Sequence, residues 1–250
     1  MLRCFTYGAL SRGSKAKAIG HRATLRARLG ARLGTAFGIG LAILLAVTSP
    51  ARADRVDILA LGDSLTAGYG LIDQNGFVPQ LRAWLAARGH DVRIVNAGVS
   101  GDTTAGGLSR VAWSLTPELD AIIVALGGND LLRGLPPESV RANVQGILDV
   151  AHDADLEIMV VGMSAPGNYG QDYKETFDAI YPDLAQQYGA IHHDSFFIGL
   201  MSKDTDPADL RAFMQADGIH PNADGVARIV EGMGPVVETL IARVQARSGS

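Results

Sequence analysis

The segment DILALGDSLTAGYG, residues 57–70, ends an apolar run on a serine that could act as a nucleophile. Ser64 lies where we predict a buried strand to end. One interpretation is that Ser64 only caps the helix that follows, as serine often does. The other is that Ser64 is a nucleophile at the strand end where ligands of open α/β sheets bind. Because a serine is a weak nucleophile without a base to take its proton, the rest of the chain must decide.

The base that Ser64 needs is a histidine that a carboxylate orients. In DGIHPNADG, residues 217–225, Asp217 precedes His220 by three residues, and Pro221 with Asn222 predicts a helix start nearby. One tight turn can bring the Asp217 carboxylate to one imidazole nitrogen, which leaves the other nitrogen free to act as the base. These residue types also form ordinary surface turns, so the motif alone leaves both interpretations open.

Two other groups of residues are weaker candidates. The HHD segment, residues 192–194, could suggest a metal site. Neighbouring residues of a strand point to opposite faces, so we expect no metal there. Ser164 in GMSAP comes nearest to the G-x-S-x-G nucleophile elbow, but Pro166 replaces the second glycine. Ser64 is therefore the better nucleophile.

An acyl-transfer site also needs hydrogen-bond donors for the negative oxygen that develops on the substrate. The candidates are the backbone N–H of Ser64, the backbone N–H of Gly101 in SGDT and the side-chain amide of Asn129 in GGND. A glycine at position 101 would let the substrate approach the backbone closely. The alternative for GGND is a simple turn between a strand and a helix.

The elements that would position these residues alternate between apolar runs and amphipathic segments. The predicted strands are Val56–Leu61, Val92–Asn96, Ala121–Leu126, Glu157–Gly162 and Ala190–His193. The predicted helices are Phe77–Arg88, Ala105–Leu115, Pro137–Ala154, Lys174–Tyr188 and Asn222–Ala246. This alternation predicts a parallel sheet covered by helices on both faces. We expect the polar segments that follow the first four strands to share one edge, with Ser64, Gly101, Asn129 and Asn168 converging there.

Four blocks in this order resemble the GDSL, or SGNH, hydrolase family: GDSL, SGDT, GGND and DGIHPN. The resemblance extends over residues 56–246 and implies a three-layer α/β/α sandwich with a central parallel sheet, flavodoxin-like in layout. It implies that Ser64 attacks the acyl carbonyl, while His220 is general base and then general acid, oriented by Asp217. The N–H groups of Ser64 and Gly101 and the amide of Asn129 would form the oxyanion hole. No cofactor or metal is implied.

The segments GGNDLLRGL and PGNYG look closest to the secreted thioesterase, arylesterase and lysophospholipase branch of that family. This resemblance implies a serine esterase that acts on acyl esters, thioesters or lysolipids through an acyl-enzyme. It also implies an acyl crevice, whose expected lining is Leu131, Leu132, Met163, Ala165, Asn168 and Tyr169. Ala165 is smaller than the apolar residue expected there, which leaves the preferred chain length open.

Two alternative functions stay open beside this one. A carbohydrate O-acetylesterase could use the same scaffold, although a lining by Leu131, Leu132 and Met163 favours acyl chains over sugars. A non-catalytic binding module would explain the fold. It would not explain a nucleophile, a base, an orienting acid and oxyanion donors in one chain.

The first 53 residues have the layout of a secretory signal peptide. Residues 1–34 are basic without Asp or Glu, residues 35–49 are apolar, and Ala51 and Ala53 have the small-x-small spacing of a cleavage site. We predict cleavage after Ala53 and a hydrolase domain over residues 54–250. An apolar stretch of about 15 residues is short of the roughly 20 that span a membrane. The expected protein is therefore periplasmic or secreted, with no stable membrane anchor after cleavage.

Removing the leader changes the charge of the protein. The leader holds nine of the 22 Lys and Arg residues and none of the 26 acidic ones, so residues 54–250 carry a formal net charge of −13. Such a domain will not bind nucleic acid or an anionic membrane through a general basic field. The only cysteine, Cys4, lies in the leader, so the domain has no disulfide or thiol chemistry.

Overall fold

The strands form one parallel sheet in which the first strand lies between the second and the third. The computed structural model describes residues 55–201 and 210–249, and the predicted leader lies outside this range. The strands are β1 (Val56–Gly62), β2 (Val92–Gly98), β3 (Ala121–Ala125), β4 (Glu157–Val161) and β5 (Ile191–His193). Their order in the sheet is β2-β1-β3-β4-β5, and every neighbouring pair is parallel. This is the flavodoxin-like order, with its switch point between β1 and β3.

Helices cover both faces of the sheet. On one face lie α2 (Phe77–Ala86) and α8 (Ala223–Ser248), and on the other lie α3 (Thr104–Ser114), α5 (Pro137–Asp153), α6 (Gln171–Asp178) and α7 (Ile180–Tyr188). Alternate residues of β1 pack against the two helical layers: Ile58 packs with α2 and α8, and Leu59 packs with α3 and α5. Because both faces are buried, the strand is apolar from Ile58 to Leu61. The predicted three-layer α/β/α sandwich is confirmed.

Two single-turn helices begin directly at the carboxyl ends of neighbouring strands. Helix α1 (Ser64–Ala67) follows β1, and α4 (Gly128–Leu132) follows β3. Because β1 and β3 are adjacent and parallel, these helices start at the same edge of the sheet. The sheet therefore brings Ser64 and Asn129 to one place. No helix within residues 55–201 and 210–249 has the length and apolar character needed to cross a membrane.

The single helix predicted over Lys174–Tyr188 is wrong, because the structure divides it. Helix α6 ends at Asp178 and α7 begins at Ile180. Pro182 is the third residue of α7. Proline has no N–H to donate to the carbonyl of Asp178, and its ring would clash with that carbonyl in a continuous helix. The amphipathic pattern continues across the break, so periodicity alone did not reveal it.

A methyl group at Gly98 should displace the helix that carries Ser64. A Cβ there would lie 2.3 Å from the backbone nitrogen of Ala67, the last residue of α1. We expect Gly98→Ala to cost about 1–3 kcal/mol in the free energy of unfolding, as overpacking does, and to lower any turnover that depends on Ser64. Urea unfolding and turnover check this, with Gly167→Ala as the control because its added Cβ would meet no atom within 4 Å. Wild-type stability and turnover in Gly98→Ala would contradict the prediction.

Candidate active site

Ser64 is the first residue of α1, and the residue before it caps the helix. The Asp63 side chain accepts a hydrogen bond from the N–H of Leu65 at 3.0 Å, and its carbonyl accepts one from the N–H of Ala67 at 2.9 Å. The capping interpretation of Ser64 is therefore wrong, because Asp63 is the N-cap. The Ser64 hydroxyl is left to make a different contact.

That contact is with His220, which lies 156 residues later in the chain. The Nε2 atom of His220 is 2.9 Å from the Oγ of Ser64. Its Nδ1 atom is 2.7 Å from the Oδ2 of Asp217. Serine, imidazole and carboxylate thus form a continuous hydrogen-bonded chain, with each group in contact with the next. This is the arrangement in which a histidine can remove the proton of a serine.

The Asp217 carboxylate holds the turn that carries His220. Its Oδ1 accepts hydrogen bonds from the N–H groups of Ile219 at 2.9 Å and His220 at 3.0 Å. Gly218 has a φ of +67°, a conformation that suits glycine. The backbone bond from His220, followed by the bond to its ring, lowers the pKa of Asp217 to about 2. The carboxylate is therefore ionised at neutral pH and keeps a proton on Nδ1, so that Nε2 of the neutral ring is free to accept one.

Backbone pairing on both sides fixes the position of this turn. The N–H of Gln215 donates to the carbonyl of His220 at 2.7 Å, and the N–H of Asn222 donates to the carbonyl of Phe213 at 2.8 Å. The Asn222 side chain then caps α8 by accepting from the N–H of Gly225 at 3.0 Å. The predicted helix start beside His220 is thus observed, and it joins the base to the long helix α8.

The three residues predicted to supply the oxyanion donors come from three segments of the chain and line the same cavity. The N–H groups of Ser64 and Gly101 have no hydrogen-bond partner among the described residues. Gly101 has a φ of +82°, and a Cβ added there would meet no atom within 4 Å, so the space beside it is open. The Nδ2 of Asn129 is 3.4 Å from the Oδ2 of Asp63, which leaves the amide only weakly engaged. All three residues line one cavity.

This cavity has a volume of about 420 Å³ and also contains His220 in its lining. Most of its wall is apolar. The apolar lining comprises Leu65, Tyr69, Leu131, Leu132, Met163, Phe197, Met201 and Ile219. Three members of the predicted acyl crevice, Leu131, Leu132 and Met163, therefore line the same cavity as Ser64.

The other three predicted crevice residues, Ala165, Asn168 and Tyr169, are not among the residues that line this cavity. Ala165 is 3% exposed and packs in the core below α5. Asn168 is exposed and does not line the cavity that contains Ser64. The ring of Tyr169 packs against that of Tyr173, with centroids 5.0 Å apart. The cause is the path of the chain after β4, which turns towards α6 once it has passed Met163 and Ser164.

The sequence interpretation missed the wall that follows β5. Ser195, Phe197 and Met201 line the cavity directly after that strand. The signal was present, because a fifth parallel strand must end at the same edge as the other four. It was passed over because β5 has only three residues and its following segment lacks a glycine-rich motif.

The weaker candidates do not form a comparable arrangement among the described residues. His192 Nδ1 lies 3.3 Å from Asp194, while His193 is buried and burial lowers its pKa. The Ser164 hydroxyl contacts Lys174 Nζ at 2.9 Å and Asp178 at 3.1 Å. Ser164 thus contacts a lysine–aspartate ion pair and, unlike Ser64, has no hydrogen bond to a histidine among the described residues.

Asp63, the residue that precedes the nucleophile, gives the site a buried carboxylate. Its side chain is almost fully buried, and burial raises its pKa despite the bond from Leu65 and the nearby His220. As pH rises above the unfolded value of 3.8, the unfolded chain releases this proton first. The unfolded state then binds fewer protons than the folded state, so stability falls until the pH passes the folded pKa.

We therefore expect Asp63→Asn to gain stability relative to the wild type as pH rises above the unfolded value of 3.8. Asparagine is also a good N-cap and can keep the bond from Leu65. Urea unfolding of both proteins at several pH values measures the difference in the free energy of unfolding. A difference that stays constant with pH, or that moves against the variant, would contradict the assignment of a raised pKa to Asp63.

Comparison with known proteins identifies the family of this chain. The model of the GDSL-like Lipase/Acylhydrolase family matches residues 60–228. The chain is 36% identical over 199 residues to Esterase TesA of Pseudomonas aeruginosa, and the aligned region covers 79% of this chain and 94% of the relative. It is 34% identical over 200 residues to Thioesterase 1/protease 1/lysophospholipase L1 of Escherichia coli strain K12, with 79% and 91% covered.

A solved structure supports the same relationship. The crystal structure of AlinE4, described as an SGNH-hydrolase family esterase, is 40% identical and superimposes with a TM-score of 0.60. The match covers 74% of this chain and 96% of AlinE4. Sequence and fold therefore agree, and the chain belongs to the GDSL-like lipase/acylhydrolase family.

Proposed function

We propose that this protein is a serine esterase that hydrolyses acyl esters and thioesters through an acyl-enzyme on Ser64. The observation that carries the proposal is the 2.9 Å contact between Ser64 Oγ and His220 Nε2, with Asp217 on the opposite ring nitrogen. His220 takes the serine proton while Oγ attacks the acyl carbonyl. It then gives the proton to the leaving alcohol or thiol, which leaves the acyl group on Ser64. In the second half of the reaction His220 takes a proton from water as the water attacks the acyl-enzyme, and it returns this proton to Ser64 Oγ as the acid is released.

We also propose that three hydrogen-bond donors stabilise the oxyanion that forms during the attack. As Ser64 attacks, the carbonyl oxygen becomes negative and needs donors that are already in place. The free N–H groups of Ser64 and Gly101 and the amide of Asn129 would supply them. Donors that need no rearrangement stabilise the transition state more than the bound substrate, which is what raises kcat.

The cavity lining favours an acyl chain as the group that is recognised. Leu131, Leu132 and Met163 give one side of the cavity an apolar surface, and Phe197 and Met201 give the other. A sugar would need hydrogen-bond partners that these side chains do not offer. The names of the relatives, an esterase and a thioesterase/lysophospholipase, support the same substrate class.

The basic and apolar leader supports export of the enzyme to the periplasm or the medium. We propose cleavage after Ala53, which would release a domain of residues 54–250. Expression of the full chain, cell fractionation and intact mass measurement test this. A mass equal to that of Asp54–Ser250 in the periplasm or medium supports the proposal, and the full-length mass in the cytoplasm contradicts it.

The activity is tested on protein purified from cells that express the full chain. We expect hydrolysis of p-nitrophenyl esters with a preference for acyl chains longer than acetyl. We also expect an alkyl p-nitrophenyl phosphonate to inactivate the enzyme and label the peptide that contains Ser64. Activity on acetyl esters alone would favour a carbohydrate O-acetylesterase. A folded protein without ester turnover or labelling would favour a binding module.

A further inference from the structure

Arg110 connects the strand end that precedes Ser64 to the loop that contains Gly101. It lies on α3, and each of its three nitrogens has its own acceptor. Its Nη2 donates to the carbonyl of Gly62 at 2.9 Å and its Nη1 to the carbonyl of Ala97 at 2.8 Å. Its Nε donates to the Oδ2 of Asp102 at 2.7 Å. Gly62 ends β1, and Ala97 lies near the end of β2, so one side chain holds both strand ends.

These acceptors stand next to two of the proposed oxyanion donors. Gly62 precedes Ser64 by two residues, and Asp102 follows Gly101 directly. A guanidinium is planar and presents its donors in a rigid fork, so it fixes the relative positions of the groups it binds. Arg110 therefore couples the position of the Ser64 N–H to that of the Gly101 N–H.

The surroundings favour a strong and well-defined interaction. The Arg110 and Asp102 side chains are only 22% and 14% exposed, so solvent screens their ion pair less than a surface pair. A Cβ at Gly106 would lie 1.7 Å from the Oδ1 of Asp102. The glycine at 106 thus leaves the space that the second carboxylate oxygen occupies.

The loop that contains Gly101 connects the end of β2 at Gly98 to the start of α3 at Thr104, and Asp130 holds its α3 end. The N–H and the hydroxyl of Thr104 donate to the buried carboxylate of Asp130, at 2.9 Å and 2.6 Å. Asp130 follows Asn129, so this contact relates the loop to the third donor. At the end that faces β1, Arg110 and the N–H of Val99 both donate to the carbonyl of Gly62, at 2.9 Å and 3.0 Å, and Arg133 donates to the carbonyl of Gly101 at 3.0 Å. Among these donors only Arg110 also binds Ala97 and Asp102.

We propose that Arg110 is a positioning residue that sets the spacing between the Ser64 and Gly101 N–H groups for oxyanion binding. This inference rests on the proposed esterase function. Loosening the spacing weakens interactions made in the transition state and leaves binding of the apolar chain nearly unchanged. The expected kinetic effect is therefore a lower kcat with an almost constant KM.

The test compares Arg110→Lys and Arg110→Met with matched changes at Arg93. Arg93 also pairs with a carboxylate, Asp57 at 2.7 Å, but lies near the amino end of β2, away from the site. We expect both Arg110 variants to lose about 10- to 100-fold in kcat, as small misplacements of reacting groups do, with KM within about threefold. Lysine keeps the charge but not the planar fork, so it should restore little. The Arg93 variants should keep the wild-type kcat.

A second readout separates positioning from a general loss of structure. An alkylboronic acid forms a tetrahedral adduct on the nucleophilic serine and places an oxygen in the oxyanion hole. Its inhibition constant should rise by the same factor as kcat falls in each Arg110 variant. Asp102→Asn, combined with Arg110→Lys, should give a loss smaller than the product of the two separate losses, because both changes break the same contact. If Arg110→Met does not fold, Arg110→Lys and Asp102→Asn still provide the test.

Three results would overturn the inference: folded Arg110 variants with kcat within threefold of wild type, a loss confined to KM, or boronate affinity unchanged while kcat falls. Failure of the esterase proposal is distinguishable, since it would appear in the wild type as absence of Ser64-dependent turnover. Failure of the positioning role would leave wild-type turnover intact.

Discussion

Ser64→Ala is expected to lower kcat by about 10⁶-fold, the scale measured when a serine hydrolase loses its nucleophile. Without Oγ no acyl-enzyme forms, and His220 has no hydroxyl proton to take. The measurement is turnover of the best p-nitrophenyl ester from the chain-length panel. Ser109→Ala is the matched control, because that exposed hydroxyl on α3 donates only to the carbonyl of Gly106. It should keep the wild-type kcat.

The folded state of Ser64→Ala should be nearly as stable as the wild type. Asp63, not Ser64, caps α1, and the Ser64 hydroxyl contacts His220 alone among the described side chains. Thermal unfolding curves of the two proteins should therefore almost superimpose. Retention of more than a small fraction of wild-type turnover in pure Ser64→Ala protein would refute the assignment of Ser64 as nucleophile.

Asp217→Asn is expected to lower kcat by about 10⁴-fold with little change in KM, as loss of the orienting carboxylate does in other serine hydrolases. The amide can hold the ring with its proton on Nε2, so that no lone pair faces Ser64. It also removes the negative charge that stabilises the imidazolium formed during attack. Asp194→Asn is the control, because Asp194 pairs with His192 at 3.3 Å outside the cavity lining.

The same variant tests the lowered pKa of Asp217 through stability. A folded pKa of about 2, below the unfolded value of 3.8, means that the ionised carboxylate stabilises the folded state. That contribution is present above the unfolded pKa and is lost as pH falls through about 2. The wild type should therefore lose its stability advantage over Asp217→Asn on acidification. Equal pH dependence of the two proteins, or a kcat within tenfold of wild type, would contradict the role of Asp217.

Local patterns in the sequence were enough to predict the main elements of the fold and part of the candidate site. The apolar runs and amphipathic segments predicted the parallel sheet and both helical layers, because strand and helix periodicities are properties of neighbouring residues. The contact between Asp217 and His220 could be predicted as well, since three residues of a tight turn set their distance. Alternation of parallel strands also placed Ser64, Gly101 and Asn129 at one edge of the sheet.

Tertiary structure alone decided the features that depend on chain path and packing. The 2.9 Å contact of Ser64 with His220 joins residues 156 positions apart, and its distance depends on how α8 packs on the sheet. The path after β4 removed Ala165, Asn168 and Tyr169 from the cavity, and the short β5 added Phe197 and Met201.

Asp63 and Arg110 are single residues whose roles could not be predicted from the sequence and follow only from the tertiary structure. In the sequence, Asp63 is part of a motif and Arg110 is one polar residue of an amphipathic helix. Their roles depend on burial and on carbonyl groups from other strands, which no local pattern specifies. Periodicity and turn chemistry determine the elements and the local motif, whereas side-chain burial, cavity shape and the contacts between elements exist only after the chain has packed.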